Sequence, residues 1–339
     1  MALSPQASFQ RPASTSPQVV VITGASSGIG HATALAFAQR GARVVLAARD
    51  ADTLEPVAEA CRAAGAASAL VVPTDVTDAE AVGTLAQTAL TQHGHIDIWI
   101  NGVGVGAVGL FDETPLAAHR RVIESNLIGH MHGAHAALRH FKKRGRGTLI
   151  NMISVGGWIP APYAAAYTAS KFGLRGLSEA LRAEVSDLPQ VHVCDVAPTV
   201  VDSPGLLHGA NYTGSNLRPR IPMVDPRRVA RAVVALSSRP RAITWVGASA
   251  GPGRLAHAIA PQWVGAAMQR TMRWALGRAQ PVARTDGNLF ESSKGTQIDG
   301  GQRHANKQAA GTVAALGVLG LAAVLWMNRR PARPLPTEE

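Results

Sequence analysis

The sequence predicts an α/β fold: a doubly wound parallel sheet with helices on both faces, followed by a C-terminal helical extension. Three observations predict it. Short apolar, β-branched runs such as VVVIT at 19–23 alternate with stretches of helical length. The runs are apolar at consecutive positions, as strands buried on both faces are, and strand–helix alternation implies a parallel sheet. A glycine-rich turn, GASSGIG, follows the first run directly.

The elements follow in order. After the strand at 19–23, a helix is expected from His31 to Gln39, ending at Gly41. Arg43–Ala47 is the second strand, followed by a helix at Thr53–Ala64 and a strand at Ala69–Val72. A helix at Asp78–His93 leads to a strand at Asp97–Ile100. A long helix at Leu116–Phe141 precedes a strand at Thr148–Ile153, and a helix at Tyr163–Ser186 precedes one at Val191–Val196. A helix at Pro226–Ser237 and a strand at Ala242–Val246 complete the unit. Ligand sites in such sheets lie at the carboxyl ends of the strands.

Composition bounds the function. Of 339 residues, 46% are hydrophobic and 16% charged, which excludes a disordered chain. Two cysteines, Cys61 and Cys194, exclude a disulfide scaffold and a cysteine-rich zinc module. Residues 1–204 hold 15 Lys/Arg against 16 Asp/Glu, whereas residues 205–339 hold 18 against 6. The basic excess of the last third points to an acidic partner surface. Its arginines are scattered among Trp, Met and Ala without a nucleic-acid motif, so anionic lipid is the expectation and nucleic acid is not.

The glycine turn carries the first chemistry. Thr23, Gly24, Ser26, Ser27, Gly28, Ile29 and Gly30 lie between the first strand and first helix. Glycine lets backbone approach a phosphate, and the helix amino terminus offers it free N–H groups and a favourable dipole. The second strand should end beside the adenosine ribose. It reads AARD, so Arg49 is placed to meet a 2′-phosphate, and NADP(H) is expected over NAD(H). Asp50 next to it is within reach of a ribose hydroxyl.

Tyr167 and Lys171 are four apart and share a helical face. A nearby ammonium favours phenolate, which would make Tyr167 a proton donor and acceptor near neutral pH. Ser154 ends the preceding strand 13 residues earlier and emerges at the same sheet edge. Its hydroxyl can hold a carbonyl oxygen.

Taken together, residues 17–247 resemble the short-chain dehydrogenases/reductases, whose core is a Rossmann-type fold. TGASSGIG resembles that family's cofactor turn. Asp75, with Val76 beside it, is similar to the acidic residue that contacts adenine. Asn126, Ser154, Tyr167 and Lys171 match the catalytic tetrad. The resemblance implies that Tyr167 transfers the proton and that Lys171 binds the nicotinamide ribose and lowers the tyrosine pKa. It implies that Ser154 orients the carbonyl and that Asn126 holds a water in the proton relay. The family's Asn-Asn-Ala-Gly stands here as Asn101-Gly102-Val103-Gly104, and its Pro-Gly as Pro198-Thr199. Asn101, Pro198 and Thr199 are accordingly expected beside the cofactor. The implied reaction interconverts an alcohol and a carbonyl. A cofactor-binding scaffold or regulator without strong chemistry is the rival reading, which the complete tetrad opposes.

Trp158, Ile159, Pro160, Pro162 and Tyr163 lie between Ser154 and Tyr167. They form either an apolar wall beside the reacting carbon, implying an apolar substrate, or loop packing. His130, His132, His135 and His140 fall in one helix without an intervening acidic ligand, and no metal is expected.

The ends differ. Residues 1–17 read as a disordered leader and 18–250 as the catalytic unit. Residues 251–284 form a basic helical extension that either lies on an anionic bilayer, lids the site or simply docks. Residues 285–308, polar and Gly/Ser-rich, read as a flexible tether. Ala309–Met327 contains no charge over 19 residues. As a helix it would extend about 28 Å, the thickness of a hydrocarbon core. It is expected to hold the protein at a membrane, by spanning the bilayer or by only associating with it, with the catalytic unit on the cytoplasmic side and the tail 328–339 following it in the chain. A buried helix or a homo-oligomer contact is the alternative.

Overall fold

The computed structural model describes residues 16–216, 222–248, 250–293 and 295–303. In chain order its strands are β1 (Val19–Thr23), β2 (Arg43–Ala48), β3 (Ser68–Pro73), β4 (Ile98–Asn101), β5 (Ala107–Val108), β6 (Gly147–Met152), β7 (Val191–Pro198), β8 (Ala210–Asn211) and β9 (Ile243–Val246). The helices are α1 (Gly28–Ala38), α2 (Ala51–Ala63), α3 (Ala79–His93), α4 (Leu116–Ile123), α5 (Gly129–Arg144), α6 (Ala165–Glu184), α7 (Pro204–His208), α8 (Pro226–Leu236), α9 (Ala250–Ile259) and α10 (Pro261–Leu276).

Seven strands form one parallel sheet in the order β3-β2-β1-β4-β6-β7-β9. All residues of β1 and β4 are buried, as their unbroken apolar runs require. Phe37 of α1, Leu54 and Val57 of α2, and Val229 and Val233 of α8 cover one face. Val82 and Leu85 of α3 and Ala137, Leu138 and Phe141 of α5 cover the other. From β1 the chain winds outward to β2 and β3, then returns to β4 on the opposite side of β1. That reversal opens a crevice at the carboxyl ends of β1 and β4, where such sheets take ligands.

Several boundaries differ from the sequence reading for local reasons. The glycine turn already contains the first turn of α1, which starts at Gly28 rather than His31. The long helix expected over Leu116–Phe141 is broken at Glu124–Ile128 by a π turn. Periodicity does not register such a bulge, which adds a residue without interrupting the apolar face. The two-residue strands β5 and β8 pair as a separate small sheet beside the crevice. They are too short to leave a pattern. Asp78 caps α3 by accepting the N–H groups of Glu80 and Ala81.

The basic extension is helical, as read, in α9 and α10. No residue of α10 is buried, and Trp263 and Trp274 are exposed. The flexible tether is a correction. Over 285–303 the described chain is laid against the sheet edge, beginning with reciprocal backbone bonds between Thr285 and Asn211. Its polar composition conceals one fully buried side chain, Leu289, and many carbonyls used by basic side chains of the core. Among the described residues no helix is long and apolar enough to cross a membrane. The apolar run 309–327, the tail 328–339 and most of the leader 1–17 lie outside the described residues.

Candidate active site

The site is built at the carboxyl edge of β1, β4, β6 and β7. Gly24 follows β1 with φ +69, a conformation that glycine adopts without strain, and a Cβ there would lie 3.1 Å from the Gly102 backbone. A Cβ on Gly30 would come within 1.9 Å of the Gly24 carbonyl oxygen. Only glycine lets α1 start this close to the strand, and the result is a shallow cradle of backbone. Thr23 closes its floor: its hydroxyl donates to the Ile100 carbonyl and accepts the Gly102 N–H. Ser27 is the residue preceding α1, and its side chain makes no cap bond; Ser26 and Ile29 are half-buried. This cradle fits the pyrophosphate of a dinucleotide, with α1 pointing its amino terminus at it.

The adenosine side lies beside β2 and β3. Arg49 is directed across the crevice mouth, where its guanidinium donates to the carbonyls of Asn288, Leu289 and Glu291. Asp50 is not free to reach a ribose, because its carboxylate caps α2 through the Asp52 N–H. Asp75 accepts from Thr77 and pairs with Arg121 at 2.8 Å. Burial works against its ionisation, but the bonds from Arg121 and Thr77 prevail and hold its carboxyl below the usual range. Arg121, on α4, also donates to the Leu289 carbonyl, and neither it nor the 285–303 segment carries a motif that marked it in the sequence. Val76 is buried, and its carbonyl bonds His132.

Asn101 is placed in the core rather than in the cradle. Its side chain accepts from the Trp99 indole and donates to the His130 carbonyl and to Asn151, which in turn donates to Ser178. This chain ties β4 to α5, β6 and α6, and holds the strand ends that carry the site. Pro198 ends β7, and Thr199 is fixed by its N–H to the Val246 carbonyl.

The four tetrad residues converge. Ser154 directly precedes the short 3-10 turn Val155–Gly157, and its Oγ accepts the Gly156 N–H at 3.1 Å. It also hydrogen-bonds the Tyr167 hydroxyl. Lys171 lies one turn below on α6, with Nζ 5.8 Å from the centre of the Tyr167 ring. The ammonium is buried and donates to the Met152 carbonyl at 2.9 Å. Asn126 sits within the π turn, fully buried. Its amide takes both the N–H and the carbonyl of Val105, and donates to Ser170, whose hydroxyl reaches the Tyr167 carbonyl. It therefore fixes the loop after β4 against the start of α6.

The electrostatics differ from the expectation that Lys171 depresses the tyrosine. Burial pushes the Tyr167 phenol up, with the Ser154 hydrogen bond opposing. Burial brings Lys171 down to about 7. In a dry pocket the lysine loses charge before the phenol does, so Tyr167 retains its proton at neutral pH. A buried three-proton donor with one protein acceptor fits the ribose hydroxyls of a dinucleotide lying along the cradle.

The loop after Ser154 is mostly packing. Trp158 meets Trp245 edge-on at 4.5 Å, and Arg175 and Arg254 lie over its ring. Tyr163 has φ +65, and its carbonyl accepts the Gly109 N–H. The helical histidines also have local partners: His132 at Val76, His140 at the Ile96 N–H. Among the described residues no cluster of His, Cys, Asp or Glu is arranged to hold a metal.

Comparison with known proteins bears on the fold that carries this site. The short chain dehydrogenase family matches residues 18–209. The uncharacterized oxidoreductase YxnA of Bacillus subtilis is 30% identical over 282 residues, covering 82% of this chain and 79% of YxnA. The 11-beta-hydroxysteroid dehydrogenase A of Arachis hypogaea is 36% identical over 187 residues, which cover 55% of this chain and 53% of that protein. A crystal structure of a metagenomic short-chain oxidoreductase in complex with NADP superposes with a TM-score of 0.58 at 32% identity. It covers 68% of this chain and 96% of its own.

Proposed function

Because the chain belongs to the short-chain dehydrogenase/reductase family, we propose that it is an NADP(H)-dependent oxidoreductase that interconverts an alcohol and a carbonyl on a small apolar substrate. The observation that carries the reading is the Ser154–Tyr167–Lys171 row at the edge of the sheet, beside the glycine cradle, with Lys171 buried beneath the half-buried tyrosine. The bound nicotinamide supplies or accepts the hydride. Ser154 orients the substrate oxygen, and Tyr167 gives it a proton in reduction or removes one in oxidation. A phenol that stays protonated at neutral pH suits the reductive direction. Lys171 holds the ribose and charges as a proton is drawn through the site. Asn126 holds the Val105 loop and the start of α6 in register with the tyrosine. Oxidation of NADPH by the purified protein across a panel of apolar aldehydes and ketones tests the reading. Absence of turnover with every member would favour the scaffold alternative.

Arg49 is the group assigned to the 2′-phosphate, and the NADP carried by the metagenomic relative supports that assignment. Arg49→Ala should lower the NADPH:NADH affinity ratio about tenfold or more, the worth of one charge-assisted bond. Titration of both cofactors checks this. An unchanged ratio would remove Arg49 from the phosphate.

The proposed place of work is a membrane surface, with the catalytic unit on the cytoplasmic side. Residues 226–285 hold ten arginines and no acidic residue, and α9 and α10 expose Leu255, Ile259, Trp263 and Trp274 beside them. Indole and guanidinium together suit an anionic interface. Full-length protein should sediment with membranes, and deletion of residues 309–339 should leave active enzyme in the supernatant. Full-length protein that stays in a detergent-free supernatant would defeat this proposal. Pairing of the 309–327 segments in a homo-oligomer would instead appear as a loss of assembly on the same deletion.

A further inference from the structure

Residues 286–303 cross the mouth of the dinucleotide crevice between two anchors. At the first, Tyr212 donates to Asp286 at 2.6 Å and Leu289 is 0% exposed among Ala118, Val122 and Tyr212. At the second, the buried carboxylate of Asp202 accepts the N–H groups of Gln302 and Arg303, each at 3.0 Å. Arg227 and Arg303 reinforce it by pairing with Asp299. Between the anchors, the chain takes up groups of the cradle itself. The Gly28 N–H donates to the Gln297 carbonyl at 2.9 Å, and His31 meets the Thr296 carbonyl. The guanidinium of Arg49 is held by the Glu291 carbonyl of this stretch and by the Asn288 and Leu289 carbonyls at the first anchor.

These are the donors that the reading above assigns to the pyrophosphate and the 2′-phosphate. A backbone N–H has one proton and cannot serve the Gln297 carbonyl and a phosphate oxygen together. We propose that residues 286–303 form a strap that competes with the dinucleotide for its own site, the stretch between the anchors lifting as the cofactor enters. Gly295, at φ +100, supplies a bend in the span. The first anchor is seated on α4 and Tyr212 and the second on Asp202, so the span can open at its middle without leaving the protein. The apparent affinity is the intrinsic affinity reduced by the fraction of molecules with the strap open.

The inference rests on NADP(H) binding at Gly28 and Arg49, and its test separates the two. NADPH and NADH are titrated by calorimetry into the full chain and into Leu289→Asp, which unseats the first anchor and replaces no tetrad residue. The variant should bind both cofactors tighter by a common factor of about ten. In the unaltered chain, amide exchange over 290–297 should quicken on adding NADPH. Weaker binding by the variant, or slower exchange with NADPH, would show a cover that clamps the cofactor and would overturn competition. Unchanged affinity and exchange would overturn it too. Failure of both proteins to bind NADPH would refute the cofactor reading itself. If Leu289→Asp does not fold, the exchange measurement decides alone.

Discussion

Tyr167→Phe should lower turnover at least about a hundredfold while leaving NADPH affinity within a factor of about two. The substitution removes one oxygen from a half-buried ring that Lys171 and Ser154 already hold in place. It deletes the phenolic proton beside the Ser154 hydroxyl and preserves the shape of the row. The other acidic proton of the row, on Lys171, lies one helical turn away, with Nζ 5.8 Å from the ring centre. The Lys171 ammonium is directed to the Met152 carbonyl instead. Steady-state rates with the best carbonyl of the panel, together with a cofactor titration, measure both halves. Near-normal turnover would remove Tyr167 from the mechanism.

Lys171→Met should abolish activity to a similar degree and, at the same time, stabilise the cofactor-free protein. The lysine falls from an ordinary 10.5 to about 7 because its charge is desolvated. Above 10.5 neither the folded nor the unfolded chain carries that charge, and burial costs nothing through it. Between 7 and 10.5 the unfolded chain binds one proton more than the folded one, so the stability attached to this group falls as the pH falls. Below 7 the whole cost is present, up to about 5 kcal/mol at about 1.36 kcal/mol per unit. Methionine keeps the stem and removes the charge. The Tm of the variant should therefore exceed that of the unaltered protein most at pH 6–7, and the gap should narrow toward pH 9. Cys61 and Cys194, both raised to about 11, act with the opposite sign above their ordinary range. They are common to both proteins, so the difference isolates Lys171. A variant less stable at pH 7 would show that the ammonium is held by more than the Met152 carbonyl.

Much of this molecule was legible because its signals are local. β1 and β4 are unbroken apolar runs, and the sheet that they imply is the sheet observed. Ser154, Tyr167 and Lys171 were marked by a strand end and a helical spacing, both short-range relations. The residues that escaped are joined by long-range contacts. Arg121 reaches Asp75 from 46 positions away, through a geometry set only when α4 packs beside the crevice. Asn101, expected beside the cofactor from the family resemblance, ends β4 with its amide turned inward to Trp99 and Asn151. A strand end specifies where the backbone stops, not which way a polar side chain finds its partners. The described part of the expected tether, 285–303, escaped for the opposite reason. Its composition offers almost no apolar surface, and its attachment relies on backbone carbonyls, which every sequence possesses and none displays.

The position of the strap in the chain bears on how the protein is made. Arg49 meets acceptors 239 to 242 residues downstream. A ribosome adding about 5–20 residues per second leaves roughly 10–50 s between the two. During that interval β1, β2 and α1 can fold around an open cradle that nothing downstream yet covers. A nascent chain can thus meet its nucleotide before the competing segment exists, whereas a refolding full-length chain must form both together. The same polypeptide would then load quickly during synthesis and slowly from denaturant, with the order of translation deciding which partner reaches Gly28 first.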